Sequence, residues 1–404
     1  MFLLYNIVDN MKKNKVKKTR ELKYINKPLF FMGLFYAIMG ALLILDASSI
    51  SSVLYYKLDT PYYFFIRQLV FIGVSLFFSI IIMKIPTETY KKVSFLLSVG
   101  FIGGLLYALT KSSINTSVSE VNLSLFGGRF QPAEFLKVFL IMYMGCYYGV
   151  WANRKKHAIL SFIIPLFLCI AAFLVIFLGG DYGSAAIMAA LYALVFISVP
   201  AKEKYIKWIK RLACIGIIGA VFILKYTYLI VPQEKLEQNY RLNRLVYKNP
   251  CDRYEENSGY QVCNGYIAID NGGMKGAGIG SSIQKYMYLP ASHTDFIFPI
   301  VVEELGAIFG VAIILGYIYI IFLIFKVATE CYKLQNSIIC YGIAIYFMLH
   351  IFVNLGGVLG LIPLTGVPLP FLSYGGSFCI TLMCSFAVVQ RIHIENQIEK
   401  NNVI

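Results

Sequence analysis

Charged side chains are scarce in this sequence. Of its 404 residues, only 14% are Asp, Glu, Lys or Arg, whereas 58% are hydrophobic. A soluble domain usually carries about 25% charged residues, so the shortage argues against a soluble protein. The alternating polar and apolar pattern of a membrane β-barrel is also absent. The chain instead contains apolar runs of roughly 20 residues, which is the length of a helix that crosses a hydrocarbon core of about 30 Å.

These runs predict an all-α polytopic membrane protein with about ten transmembrane helices. Lipid offers no partners for backbone polar groups, so each span must satisfy its own hydrogen bonds as a helix. The predicted spans are 29–48, 62–83, 93–110, 134–151, 158–178, 182–199, 212–231, 296–325, 337–361 and 373–390.

The net charge of +15 follows the membrane topology rather than indicating nucleic acid. Most Lys and Arg residues lie at the N-terminus and in alternate loops, whereas the first two loops on the other side carry only Lys57, Lys111 and Arg129. This distribution is the positive-inside pattern. It predicts a multi-pass protein of the cytoplasmic membrane with both termini in the cytoplasm and the basic N-terminal run beside anionic lipid.

The predicted spans divide the chain into a basic cytoplasmic tail (1–28), a ten-helix membrane domain (29–391) and a second cytoplasmic tail (392–404). The segment Met1–Ile7 is too short for a signal-peptide core, so the first span is expected to act as an uncleaved signal. A large outer loop, 232–295, separates helices 7 and 8. Its two cysteines, Cys251 and Cys263, leave open whether they form a disulfide, because sequence does not show the geometry.

Ionisable residues within a span are costly and therefore suggest a function. The fourth span begins with Gln131 and Pro132 and then carries Glu134 and Lys137, which share a helix face and can pair. The pair either stabilises the bundle or forms a polar site that lines a cavity. Asp181, in the turn before the sixth span, either caps that helix or faces Lys137 in the bundle interior.

The end of the outer loop is the densest candidate site. Five glycines lie between Asn271 and Gly280 without the spacing of a nucleotide-binding motif. They allow close backbone approach to a ligand or to another helix. Asp295 follows at the start of the eighth span, where partial desolvation would raise its pKa and make it a better base. A simple helix cap is the alternative for Asp295. Of Glu303 and Glu304, one is expected to point into the bundle, because adjacent residues lie about 100° apart on a helix.

Four segments together resemble a known family: Gln131–Lys137, Asp181–Ala185, Asn271–Gly306 and Asn354–Ser377. The chain is similar to the shape, elongation, division and sporulation glycosyltransferases, the bacterial proteins typified by FtsW and RodA. The most specific blocks are Gln284–Glu304 and the Pro- and Gly-rich stretch that ends at Ser377. Gly180 departs from the Pro that the family commonly has before the aspartate, which affects the turn geometry around Asp181.

The resemblance implies an inverting peptidoglycan glycosyltransferase that polymerises lipid II, with undecaprenyl pyrophosphate as the leaving group. It implies that Asp295 is the catalytic base. The block Gln284–Glu304 favours a division role, and an elongation or sporulation role stays open. A class B penicillin-binding protein and other divisome or elongasome membrane proteins are the expected partners. A divalent cation is possible, and no metal ligand set is predicted. The expected substrate-binding residues are Glu134, Lys137, Asp181, Arg241, Arg244, Lys275, Lys285 and His293, and the expected supporting residues are Gln131, Glu303 and Ser373.

Two alternatives to an enzyme stay open at this point. The buried Glu134, Lys137 and Asp181 are compatible with a lipid II flippase or another transporter, although no inverted repeat is visible in the sequence. A non-catalytic scaffold of the cell-wall synthesis complex is the second alternative. Transport without polymer would favour the first, and growth of a strain that carries only Asp295→Ala would favour the second.

Overall fold

The computed structural model describes residues 23–111, 130–151, 159–200, 203–230, 248–255, 257–290 and 292–403. These residues form α-helices joined by turns and short segments, and they contain no β-strand. The helices, labelled in chain order, are α1 (Lys27–Leu54), α2 (Tyr63–Ile82), α3 (Tyr90–Lys111), α4 (Pro132–Trp151), α5 (Ile159–Leu178), α6 (Tyr182–Ser198), α7 (Lys204–Ile230), α8 (Asn257–Gly272), α9 (Ile297–Thr329), α10 (Leu334–Val358) and α11 (Gly376–Val403).

Seven of these helices are long and apolar enough to cross a membrane: α1, α2, α3, α4, α9, α10 and α11. α5 and α6 contain shorter apolar segments, and α7 overlaps the remaining predicted span. The prediction of an all-α polytopic membrane protein is therefore confirmed. The count of ten crossings, the orientation and the division into tails and membrane domain stay predictions. α11 continues through residues 392–403, so the last predicted segment is helical up to Val403.

Three helices form the interior of the bundle. Within an 18-residue apolar stretch of each helix, the fraction of residues that is buried is 83% for α11, 78% for α4 and 72% for α10, but only 22% for α2 and α3. α10 packs against α4, α6 and α9. Because membrane lipid cannot satisfy polar groups, the polar side chains of these inner helices must find partners within the protein.

α9 is broken at Gly306, which has the left-handed φ of 84°. A Cβ at this position would lie 2.4 Å from the carbonyl oxygen of Met274, so only glycine fits. The glycine-rich stretch binds both sides of the break through its main chain: Ala277 N donates to Glu303 O at 2.9 Å, and Ala307 N donates to Gly273 O at 2.9 Å. These glycines therefore serve close approach to a helix, one of the two uses predicted for them.

The described part of the outer loop is built on α8, which packs along α9. A disulfide joins Cys251 to Cys263, whose Cα atoms are 5.0 Å apart. The bond attaches the 3-10 turn Pro250–Arg253 to α8. The pairing that the sequence left open is thus present, and it fixes one end of the segment that leads to Asp295.

Candidate active site

Asp295 lies in the turn immediately before α9, and its side chain is partly exposed. Its Oδ1 accepts a hydrogen bond from Thr294 Oγ1 at 2.9 Å. A Cβ added to Gly366 would lie 3.6 Å from its Oδ2, so the carboxylate faces the Pro- and Gly-rich segment between α10 and α11. The N-cap position of α9 is Phe296. Asp295 therefore does not occupy the cap position that was its alternative.

Asn354 of α10 binds Asp295 to this segment. Its Nδ2 donates to the carbonyl oxygen of Asp295 at 2.8 Å and to that of Val367 at 2.7 Å. Two acceptors require an NH₂ group, which fixes the orientation of the amide. Asn354 is buried. Its position in the sequence belongs to a segment that carries the family resemblance, but its role was not predicted, because both of its partners are backbone atoms distant in the chain.

A second polar cluster lies inside the bundle around the predicted pair on α4. Lys137 Nζ lies 2.7 Å from Glu134 Oε1. The other carboxylate oxygen of Glu134 accepts a hydrogen bond from Tyr346 Oη at 3.1 Å and lies 3.9 Å from His350 Nε2. All four side chains are buried, Lys137 completely. The predicted pairing is therefore present, within a larger cluster whose second half comes from α10.

One face of α10 connects the two sites. Tyr346, His350 and Asn354 are spaced four residues apart, so they project from the same side of the helix with a rise of about 6 Å between successive residues. Tyr346 contacts Glu134, and Asn354 contacts Asp295. The buried pair on α4 and the backbone of Asp295 thus contact the same face of one helix.

Asp181 caps α6. Its Oδ1 accepts a hydrogen bond from Ser184 N at 3.0 Å, an N-cap contact. Both Asp181 and Lys137 are described, and no ion pair joins them. A Cβ on Gly183 would lie 3.1 Å from Thr365 O and 3.8 Å from Asp181 Oδ1. Asp181 therefore lies beside the same Pro- and Gly-rich segment that Asp295 faces through Gly366.

Lys285 is enclosed by two carboxylates. Its Nζ lies 2.7 Å from Glu304 Oε1 and 2.9 Å from Asp46 Oδ1, and its side chain is 3% exposed. Burial alone would lower the pKa of Lys285, but the hydrogen bonds to Glu304 and Asp46 outweigh this and raise the pKa above its usual value. The charge of Lys285 is therefore balanced within the protein. Asp46, in the first predicted span, is a functional candidate that the sequence analysis missed.

Glu303 and Glu304 are both buried, at 1% and 5% exposure. Glu303 Oε1 accepts from Ile283 N at 3.1 Å, and Glu304 Oε1 accepts from Ser282 N at 3.1 Å. Glu303 Oε2 also accepts from Ser282 Oγ. These contacts explain the burial of both carboxylates by the outer loop; which of the two points into the bundle stays a prediction. Lys275, in the same loop, is exposed.

His293 is buried in an aromatic pocket. Its ring centroid is 4.4 Å from that of Phe64 and 5.9 Å from those of Tyr56 and Tyr374. Burial lowers the pKa of His293 to about 4, so the imidazole is neutral near pH 7. Its carbonyl oxygen accepts from Tyr374 N at 2.9 Å, which joins the Asp295 turn to the segment before α11.

The predicted supporting residues stabilise turns near the site. Gln131 N donates to Ser377 Oγ at 2.9 Å, which joins the starts of α4 and α11. Ser373 Oγ accepts from Leu369 N at 2.7 Å. Arg241 and Arg244 lie outside the described residues. In the ranges that the structure describes, no group of three or more His, Cys, Asp or Glu side chains could hold a metal ion.

Comparison with known proteins agrees with this architecture. FtsW of Bacillus subtilis, a probable peptidoglycan glycosyltransferase, is 32% identical over 92% of this chain and 91% of its own. Stage V sporulation protein E of the same organism is 30% identical over 88% and 93%. Both alignments cover nearly the full length of each protein.

Two solved structures share the fold at lower identity. A chain of a peptidoglycan synthase complex matches with a TM-score of 0.69 and 20% identity, covering 92% of this chain and 98% of that one. RodA of Thermus thermophilus matches with a TM-score of 0.62 and 19% identity, covering 91% of this chain and 96% of that one.

The family model for the cell cycle proteins FtsW, RodA and SpoVE matches residues 27–398. The chain therefore belongs to the FtsW/RodA/SpoVE family of cell cycle proteins.

Proposed function

We propose that this protein is a peptidoglycan glycosyltransferase that polymerises lipid II into glycan strands at the outer face of the cytoplasmic membrane, in cell division or cell elongation. The names of its relatives support the activity. The observation that carries the proposal is the partly exposed carboxylate of Asp295. Asn354 binds the backbone of Asp295, and the same face of α10 contacts the Glu134–Lys137 pair.

In the proposed reaction, Asp295 takes the proton from a hydroxyl of the acceptor sugar. The oxygen attacks the anomeric carbon of the donor, the bond to the lipid pyrophosphate breaks, and the configuration inverts. An inverting displacement of this kind needs one well-positioned base. The partial exposure of Asp295, and the lack of a side chain at Gly366 next to its Oδ2, support access by a sugar hydroxyl.

The departing pyrophosphate needs cationic stabilisation. Lys275 is exposed in the outer loop and is the described lysine best suited to this role, whereas Lys137 and Lys285 are already paired with carboxylates. Arg241 and Arg244 remain proposed headgroup contacts. A divalent cation would supply the same stabilisation, held by the substrate phosphates together with carboxylates of the site. Glu134, Asp181 and His293 remain proposed to shape the substrate site.

The multi-pass fold suits a substrate whose lipid tail stays in the bilayer. We further propose that both termini are cytoplasmic, so that the Asp295 turn faces the cell exterior. A class B penicillin-binding protein is the proposed partner, supported by the fold shared with a chain of a peptidoglycan synthase complex. Such a partner would crosslink the new strand, and other divisome or elongasome proteins would join the assembly.

The buried cluster around Glu134 and Lys137 also favours a second candidate function, transport of lipid II across the bilayer, since polar groups inside a bundle can line a pathway. An assay of purified protein in vesicles that contain labelled lipid II, with and without the partner, distinguishes the enzyme from the transporter. Glycan polymer that a muramidase digests is the expected product. Movement of labelled lipid II between leaflets without polymer would overturn the enzyme assignment in favour of a transporter.

A further inference from the structure

Two consecutive residues of α1 bind both ends of the segment that precedes Asp295. At one end, Lys285 Nζ lies 2.9 Å from Asp46 Oδ1. At the other end, Ser292 Oγ donates to the carbonyl oxygen of Ala47 at 3.1 Å. Only two residues lie between Ser292 and Asp295. The segment 285–292 is therefore attached to the first membrane helix at both of its ends.

The charge of Lys285 does not require Asp46. Glu304 Oε1, at 2.7 Å from Lys285 Nζ, already provides one buried negative charge for one buried positive charge. Asp46 adds a second carboxylate, on a helix long and apolar enough to cross the membrane. An acidic residue within a span is costly to insert and therefore suggests a role. Asp46 therefore adds something that Glu304 does not: it connects Lys285 to α1.

The residues that flank the segment 285–292 contact α9 and the segment before α11. Glu303 and Glu304 bind the main chain of Ser282 and Ile283, and His293 O accepts from Tyr374 N. α1, α9 and the segment before α11 thus all hold the chain around the turn that carries Asp295. A base must be held within a fraction of an ångström of its proton, and a misplacement of about 1 Å costs up to a hundredfold in rate.

We propose that Asp46 is a positioning residue for the reaction: through Lys285 it fixes segment 285–292 against α1 and thereby fixes Asp295 in the site. This inference rests on the proposed function. Asp46 itself does not touch the reacting atoms. Its effect is transmitted by the side chain of Lys285 at one end of the segment, in parallel with the Ser292–Ala47 contact at the other.

The test compares Asp46→Asn with wild-type protein in a lipid II polymerisation assay and in hydrogen exchange of the intact protein. The variant keeps the shape of the side chain and removes its charge. We expect kcat to fall roughly tenfold to a hundredfold, with less than about a twofold change in KM because the substrate contacts are unchanged. Amide exchange should rise within 285–296 and stay unchanged within α8.

Glu395→Gln is the matched control. It removes a carboxylate from another partly buried ion pair, in which Arg391 Nε lies 2.9 Å from Glu395 Oε1. This pair lies near the opposite end of the bundle and does not contact the segment 285–292. Glu395→Gln is expected to change the melting temperature but neither kcat nor exchange within 285–296, which separates positioning from general destabilisation.

A charge exchange, Asp46→Lys together with Lys285→Asp, should recover activity relative to either single change, because the introduced lysine would lie next to Glu304 and the introduced aspartate. Recovery supports transmission through position 285. A double variant no faster than the slower single variant would contradict it.

Ser292→Ala removes only one hydroxyl and should lower kcat roughly threefold to tenfold, which keeps the proposal testable if Asp46→Asn does not fold.

Folded Asp46→Asn protein with wild-type kcat, or with unchanged exchange within 285–296, would overturn the proposal. If the protein were not a glycosyltransferase, the experiments would give a different result. Wild-type protein would then form no polymer at all, while the exchange comparison would still decide whether Asp46 holds the segment against α1.

Discussion

The side-chain amide of Asn354 lies 2.8 Å from the carbonyl oxygen of Asp295. Through this contact, a helix of the bundle interior holds the turn that carries the proposed base. The same amide binds Val367 O, so one side chain fixes two outer segments whose sequence positions are far apart. The site therefore depends on a residue that takes no part in the chemistry.

Replacing Asn354 by Asp should slow polymerisation with little effect on substrate affinity. A carboxylate cannot donate to the carbonyl oxygens of Asp295 and Val367, and it would repel both. We expect kcat to fall roughly tenfold to a hundredfold, measured from initial rates with lipid II. Asn396→Asp is the control, because Asn396 Nδ2 likewise donates to a carbonyl, that of Glu330, at 2.6 Å. Equal losses in both variants would contradict a specific role for Asn354.

Replacing Gly306 by Ala should destabilise the protein. The left-handed φ of 84° imposes backbone strain of roughly 1–3 kcal/mol on a residue with a Cβ, and the Cβ would overlap the main chain at Met274. Thermal unfolding in detergent measures the effect. Gly73→Ala is the control, since nothing lies within 4 Å of a Cβ there. An unchanged melting temperature for Gly306→Ala would show that α9 does not need its break.

Removing one member of the Glu134–Lys137 pair should cost more than removing both. Lys137→Met leaves a buried carboxylate without its cation, which typically costs about 3–5 kcal/mol. Glu134→Gln added to Lys137→Met leaves no uncompensated charge, so the double variant should be more stable than Lys137→Met alone. Denaturant unfolding of Lys137→Met, Glu134→Gln and the double variant measures the coupling. Additive losses would mean that the two side chains do not interact.

His293 should make the protein less stable in mild acid. Its pKa is lowered by burial from 6.5 to about 4 in the folded protein. Between these values the unfolded chain binds a proton that the folded protein does not, so stability falls as the pH decreases from 6.5 towards 4, by about 1.4 kcal/mol per pH unit. Above pH 6.5 the residue is neutral in both states and has no effect.

The comparison that isolates this effect is His293→Phe, which keeps an aromatic ring beside Phe64. The difference in unfolding free energy between wild type and variant should be constant above pH 6.5 and should change below it in favour of the variant. Parallel pH profiles through this range would contradict the assignment of a buried neutral imidazole.

Local sequence patterns predicted the features that depend on neighbouring residues. The spacing of Glu134 and Lys137 predicted their pairing, because residues three apart share a helix face. The turn before the sixth span offered a helix cap as one of two roles for Asp181, and the structure has that cap. The apolar runs predicted a helix at every expected span. Each of these features is determined within a few residues of the chain.

Contacts between distant residues escaped the sequence analysis. Asp46 and Lys285 are 239 residues apart, and Asn354 and Asp295 are 59 apart. No local pattern indicates such partners. The burial of both Glu303 and Glu304 also depends on the outer loop, because Ser282 and Ile283 bind their carboxylates. Tertiary packing, rather than helix periodicity, decided these positions.

The central claim is that the carboxylate of Asp295 acts as the base, and the initial rate of lipid II polymerisation by purified Asp295→Asn tests it most directly. Asp270→Asn makes the same chemical change at an exposed position of α8 and serves as the control. We predict a loss of roughly 10²–10⁴-fold for Asp295→Asn with unchanged folding, and a normal rate for Asp270→Asn. A folded Asp295→Asn protein that polymerises lipid II at the wild-type rate would contradict the account.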